Sequence, residues 1–258
     1  MLLSGATVAA LCGFAFLAGF TDSVVGGGGL IQVPALLVLL PGVPIPVVFG
    51  TNKLASTMGT IAAVRRYARG LEIDWRLILP AALASAGFSL VGAHAVSGIR
   101  PETLRPVILV LLVGVAVFTW RARDFGSIHA PRLEGTRALI AAILTGGALG
   151  FYDGFFGPGT GSFLIFLFVA LFGFDFLAAS AAGKVVNFGS NFAAALYFVA
   201  TDQTLYRLAI PMGLASIAGA SLGSHLALTR GVRLIRTFFL VVVTALIVKL
   251  AWDAARPG

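Results

Sequence analysis

Apolar residues run along this chain in ten stretches, at about residues 5–25, 28–40, 46–68, 77–97 and 103–120, then 136–156, 161–174, 177–200, 207–229 and 233–252. Most are long enough to form the helix of ~20 residues that crosses a hydrocarbon layer roughly 30 Å thick. The second and seventh are short for a crossing, and runs of that length are more often re-entrant. Each follows a glycine-rich break, Asp22-Ser-Val-Val-Gly-Gly-Gly-Gly29 and Asp153-Gly-Phe-Phe-Gly-Pro-Gly-Thr-Gly161. The pattern predicts an all-α polytopic membrane protein with glycine-broken helices.

Five stretches followed by five invite a search for internal repetition. A shift of 131 (153 − 22 = 131) places Asp22 on Asp153 and Lys53 on Lys184 without a gap. The same shift superposes Arg76, Pro80, Ser85, His94 and Arg105 on Arg207, Pro211, Ser216, His225 and Arg236. Matched glycines and alanines mean little in a membrane protein, but matched Asp, Lys, Pro, His and Arg indicate duplication. The expected organisation is a first helical repeat over 1–120, a connecting loop over 121–135 and a second repeat over 136–258. If all ten stretches cross, each unit is odd and the repeats are inverted; if the short ones do not, four crossings per unit give parallel repeats. Loop Lys and Arg counts are the same under both models. The inverted five-plus-five arrangement is the one expected here, by analogy with other carriers.

Composition narrows the class. Hydrophobic residues make up 59% of the chain and charged ones 11%, with a mean hydropathy of +1.00; soluble domains carry about 25% charge, so a soluble fold is excluded. The net charge of +8 would suggest nucleic acid in a soluble protein. Here the arginines lie in short interhelical loops, where they orient helices and meet anionic lipid heads. Trp75, Trp120 and Trp252 stand near segment ends, as an interfacial belt requires. A multi-pass protein of the bacterial inner membrane is expected, with residues 1–19 as a retained first helix rather than a cleaved signal. Cys12 is the single cysteine, so no intrachain disulfide forms.

The candidate chemistry gathers at the breaks. Glycine costs about 1 kcal/mol in a helix interior, so four or five breakers together unwind the chain and bare amides. Bared amides at a helix start hold anions, which makes Gly26, Gly27, Gly28, Gly29, Gly157, Gly159, Thr160 and Gly161 candidate substrate-binding residues. The competing reading is tight helix packing through small residues, as at Gly146/Gly150 and Gly219/Gly223. Lys53 and Lys184 lie roughly 10 Å along the helix axis from their stretch starts at 1.5 Å per residue. A charge at that depth is expensive and marks a functional candidate with a partner. Substrate attraction, snorkelling and permanent pairing with Asp22 or Asp153 are the alternatives. Asn52 and Asn187, with Thr51, Ser190 and Asn191, offer uncharged hydrogen bonds to a substrate. Asp22 and Asp153 suit bracing of the lysines, proton uptake or cation binding, and bracing is the simplest. Should they neutralise both lysines, helix termini and amides must supply most of the attraction for an anion. His94 and His225 are matched candidates for a proton relay or for facing headgroups. No metal cluster, Walker loop or nucleophile elbow is present, so neither a cofactor nor ATP-driven pumping is expected.

At the doubled glycine loop with its leading aspartate, followed by Gly50-Thr-Asn-Lys53 and Gly183-Lys184-Val-Val-Asn187, the chain resembles the sulfite exporter TauE/SafE family over nearly its whole length. The resemblance implies a small duplicated carrier that moves sulfite, thiosulfate or organosulfonate anions by secondary transport. It implies about eight spans, against ten stretches here. Membrane lipids, a coupling proton or sodium ion and a homodimer are the partners open to such a carrier; nucleic acid is not. Two other classes remain: a cation carrier centred on Asp22 and Asp153, and a membrane-embedded lipid phosphatase using His94, His225 and terminal arginines.

Overall fold

The computed structural model describes residues 4–99, 110, 113–114 and 133–230. The expected fifth and tenth stretches lie outside the described residues, as do Trp120, Trp252, Arg105, Arg236 and most of the connecting loop. The helices expected from the apolar pattern are all present among the described residues: α1 (Gly5–Val25), α2 (Gly29–Leu39), α3 (Ile45–Gly70), α4 (Trp75–Ser97), α5 (Gly135–Phe155), α6 (Thr160–Ala170), α7 (Phe176–Ala200) and α8 (Tyr206–Arg230). A shift of 131 carries α2 onto α6 at both ends (29 + 131 = 160; 39 + 131 = 170) and the other three pairs to within about two residues.

Local chemistry sets the boundaries. The hydroxyl of Ser4 and the carboxylates of Asp74 and Asp175 accept amide hydrogens at the starts of α1, α4 and α7, satisfying donors that a helix start leaves unpaired. Proline at the start of α3 has no amide hydrogen and needs no such acceptor. α1 stops where Gly26 and Gly27 turn to φ 75° and 81°, and α5 stops before Gly157 and Gly159 at 95° and 87°, a region that side chains rarely tolerate.

Packing follows the repeat. α1 lies against α8, α4 against α5, α3 against both α7 and α8, and α4 against α7. The tight seams are glycine seams: a β-carbon on Gly146, Gly150 or Gly154 would meet the backbone of Ala81, Ser85 or Ser89 across α4 and α5. Gly19 and Gly219 do the same for α1 and α8, against Ser216 and Phe16. Close backbone approach through small residues is how membrane helices associate without a hydrophobic driving force. In this respect the packing reading of Gly146/Gly150 and Gly219/Gly223 fits.

The surface is inverted relative to a water-soluble bundle. Leu83, Leu144, Leu214 and Val91 are exposed at 65%, 66%, 59% and 56%, while Lys53 and Lys184 are 1% and 0% exposed. α1, α4 and α5 are long and apolar enough to cross a membrane. α3, α7 and α8 are as long and bury polar residues, with Lys53 on α3 and Lys184 on α7 turned inward.

A bulky residue at a seam should therefore fail where the same residue on an outer face does not. Gly150→Leu is expected to lower the melting temperature of detergent-solubilised protein, with an overpacking cost of about 1–3 kcal/mol or more. Gly87→Leu, at an exposed position with open space around it, should leave it unchanged. Equal melting points would show that the α4/α5 seam is not close-packed.

Candidate functional site

Asp22 closes the last turn of α1, and Asp153 occupies the matching place in α5. Lys53 and Lys184 sit on α3 and α7, the two long helices at the centre. The lysine of each half finds the aspartate of the other half. Lys53 Nζ lies 2.8 Å from Asp153 Oδ2 and also donates to Asn191 Oδ1 at 3.2 Å. Lys184 Nζ donates to Asp22 Oδ2 at 2.8 Å. Neither lysine snorkels. The pairs differ in exposure: the Lys53 and Asp153 side chains are both 2% exposed, Lys184 is 0% and Asp22 is 20%.

The two unwound loops meet back to back. A β-carbon on Gly26 would strike the backbone of Gly161 and Ser162, and one on Gly29 would come within 3.0 Å of Pro158 Cα. Gly157 has Lys53 Nζ at 2.8 Å from where its β-carbon would stand, so a side chain there would displace the ammonium. Tyr67 donates to Ser23 O at 2.7 Å and Tyr152 to Pro158 O at 2.8 Å, bracing the end of α1 and the second loop. Ser162 adds a bond to Val25 O at 3.1 Å.

A small, partly open cavity lies where these parts converge. Of the residues expected at a substrate site, Gly27, Gly28, Gly29, Asn52 and Lys53 line it from the first half. Gly157, Gly159, Thr160, Gly161 and Asn187 do so from the second, and Asp22 and Asp153 also face it. Gly26 and Lys184 do not line it: Gly26 is spent on the contact between loops, and Lys184 stands behind Asp22. His94 and His225 are exposed and lie away from the cavity; His94 Nδ1 is 3.2 Å from Tyr197 Oη.

Several loop amides expected to face an anion are already used. Gly26 N donates to Asp22 O, Gly28 N to Asp22 Oδ1, Gly157 N to Tyr152 O and Thr160 N to Gly157 O. Those of Gly27, Gly29, Gly159 and Gly161 are not spent in this way. Asp22 thus both holds Lys184 and caps the break, which explains why it stands a turn ahead of its glycine run.

Sequence reasoning passed over Gln32, Ser56, Thr60, Ser216 and Ala220, which also line the cavity. Ser56 and Thr60 follow Asn52 at helical spacing along one face of α3, a legible signal. Gln32 is the lone polar side chain in Gly-Leu-Ile-Gln-Val-Pro-Ala-Leu, a signal of the same kind. No group of metal-ligating side chains occurs among the described residues.

The chain matches the family model described as "Sulfite exporter TauE/SafE" over residues 11–250. It is 35% identical over 243 residues to a "probable membrane transporter protein", ORF9, of Sinorhizobium, covering 94% of this chain and 92% of that protein. It is 34% identical over 242 residues to a protein of the same description in Haemophilus influenzae, covering 92% of each. YfcA of Escherichia coli K12, again so described, is 34% identical over 244 residues, covering 93% of this chain and 88% of that one. No solved structure gives a significant match.

Breaking one partner of a fully buried pair costs about 3–5 kcal/mol because it strands a charge, whereas removing both costs far less. Lys53→Met should therefore lower the melting temperature sharply, and Lys53→Met/Asp153→Asn should recover most of the loss. The corresponding cycle on Lys184 and Asp22 should show a smaller penalty, since Asp22 is partly open to the cavity. Additive losses in both cycles would mean the pairs are not coupled.

Proposed function

The chain belongs to the sulfite exporter TauE/SafE family, a multi-pass membrane transporter rather than an enzyme by the descriptions of its relatives, and from that premise we propose that it is a secondary carrier of a small sulfur-containing oxyanion. Sulfite, thiosulfate and organosulfonates are the candidates, moved by alternating access across the bacterial inner membrane. The observation that supports this reading is the cavity at the start of both α2 and α6, lined by the first residues of two helix N-termini. Oxyanions favour such termini.

The inverted arrangement draws support from the order of contacts. Along α4, residues 81, 85 and 89 meet 146, 150 and 154 of α5, which is how helices running the same way meet. Gly50, Gly59 and Gly70 of α3 meet Gln203, Ser216 and Leu228 in and before α8 in the same sense. On α3 and α7 the order reverses: Gly50 meets Phe198 and Lys53 meets Asn191. Helices α4, α5 and α7 then run against α3 and α8, as halves related by inversion require.

A one-sided cavity is what a carrier caught in one state would have. Ser216 and Ala220 of α8 line it, but their counterparts in α4 (216 − 131 = 85; 220 − 131 = 89) do not. Ser89 instead donates to Ser190 O at 2.8 Å across a closed seam. Rocking one half against the other would exchange the open and closed sides about the two swapped pairs. A coupling proton or sodium ion would meet the chain at Asp22, the more exposed of the four paired charges.

Reconstituted protein should take up labelled sulfite saturably, and Lys53→Ala and Lys184→Ala should each reduce uptake at equal protein level. Undiminished uptake in both would remove the lysines from the mechanism. Absence of oxyanion flux, with saturable sodium or metal-ion flux lost in Asp22→Asn, would favour the cation carrier. In a Cys12→Ser background, Ser216→Cys should react with a small water-soluble thiol reagent and Ser85→Cys should not, until substrate and a gradient are added. Labelling that is equal and indifferent to substrate would rule out alternating access of this kind.

A further inference from the structure

Charge at the cavity sums to nothing. Asp22, Lys53 and Asp153 line it, and Lys184 stands 2.8 Å from Asp22, so two ammonium groups face two carboxylates. An anion entering this space finds no surplus positive charge to meet it. The cost of stripping water from an ion rises with the square of its charge, about fourfold from monoanion to dianion. Dipoles at two helix starts offset a single charge far better than a double one.

Besides the loop amides, one buried side-chain donor at the cavity has no partner. Gln32 sits on α2, one turn past the glycine break, is 1% exposed and lines the cavity. Its Nε2 is buried without a hydrogen-bond partner. An unpaired buried amide costs free energy unless something else accepts from it. Repetition does not explain the residue, because its counterpart (32 + 131 = 163) is Phe163. Asn52, 3% exposed, lines the same space, with its Oδ1 also unpartnered. Of the two, only the Gln32 group is a donor that an oxyanion oxygen can complete; the Asn52 Oδ1 is an acceptor and calls for a donor instead.

We propose that the cavity selects singly charged oxyanions over doubly charged ones, and that Gln32 is the specificity residue whose amide donates to a substrate oxygen. This deepens the transport reading above and rests on it. Hydrogen sulfite and sulfonates belong to the favoured class; sulfate does not, and thiosulfate, a dianion, drops from the candidates named above.

Methanesulfonate and sulfate test the claim, since both present S–O acceptors and differ in charge. Isothermal titration of the purified full chain at matched ionic strength should give a Kd for methanesulfonate at least about tenfold below that for sulfate. Gln32→Leu should raise the methanesulfonate Kd about tenfold without lowering the melting temperature of the unliganded protein. Gln32→Lys adds a positive charge and should turn the preference toward sulfate; if it does not fold, wild type and Gln32→Leu decide. Equal or tighter binding of sulfate by wild type, or an unchanged Kd in Gln32→Leu, overturns this inference while leaving anion transport standing. If neither anion binds and no sulfur oxyanion is transported, both readings fall together.

Discussion

Two ion pairs exchanged between the halves hold the centre of this protein. Burying four charges among apolar helices is costly unless each meets an opposite charge at short range. Lys53 reaches Asp153 and Lys184 reaches Asp22, both at 2.8 Å. Each lysine is satisfied by the aspartate of the other half, so the halves are bound to a common geometry. The aspartates stand at the ends of α1 and α5, just before the unwound loops. Pairing them therefore also fixes where the helices break and what faces the cavity.

For the anion proposed as substrate, neutralisation at the centre would move the burden of attraction elsewhere. With the lysines paired, the field at the cavity comes from helix starts and from amides that the loops do not use themselves. Glycine is what lets those elements come so close: the loops touch at Gly26 and Gly161, and Lys53 lies over Gly157. Any side chain at these positions would push apart the two broken helices or displace an ammonium. The loops thus serve packing and site together, and the two readings of the glycine runs are not exclusive.

Symmetry is broken where chemistry needs it. Both pairs have the same partners by repeat, yet Asp22 is 20% exposed and Asp153 2%. α8 lines the cavity while its counterpart α4 does not, and Gln32 stands opposite Phe163 in the repeat. A central cluster of charged and polar groups wrapped in exposed Leu, Val, Ile and Phe suits a lipid surround.

Much of this was legible along the chain. Apolar run length and glycine punctuation delimited α1 to α4 and α5 to α8 among the described residues, because helix length and breakage in a bilayer are local consequences of composition. The shift of 131 anticipated the matched helix boundaries, and the breaks, the lysines and the aspartates stood out as rare polar groups in apolar runs. Which aspartate each lysine meets was not legible, since permanent pairing within or between halves satisfies the same local rule. Nor could local pattern tell that Gly26 turns toward the other loop, that Lys184 is screened by Asp22, or that both histidines lie outside the cavity. Those outcomes depend on how two distant segments of chain lie against each other, and only tertiary packing sets the distances over which charges and hydrogen bonds act.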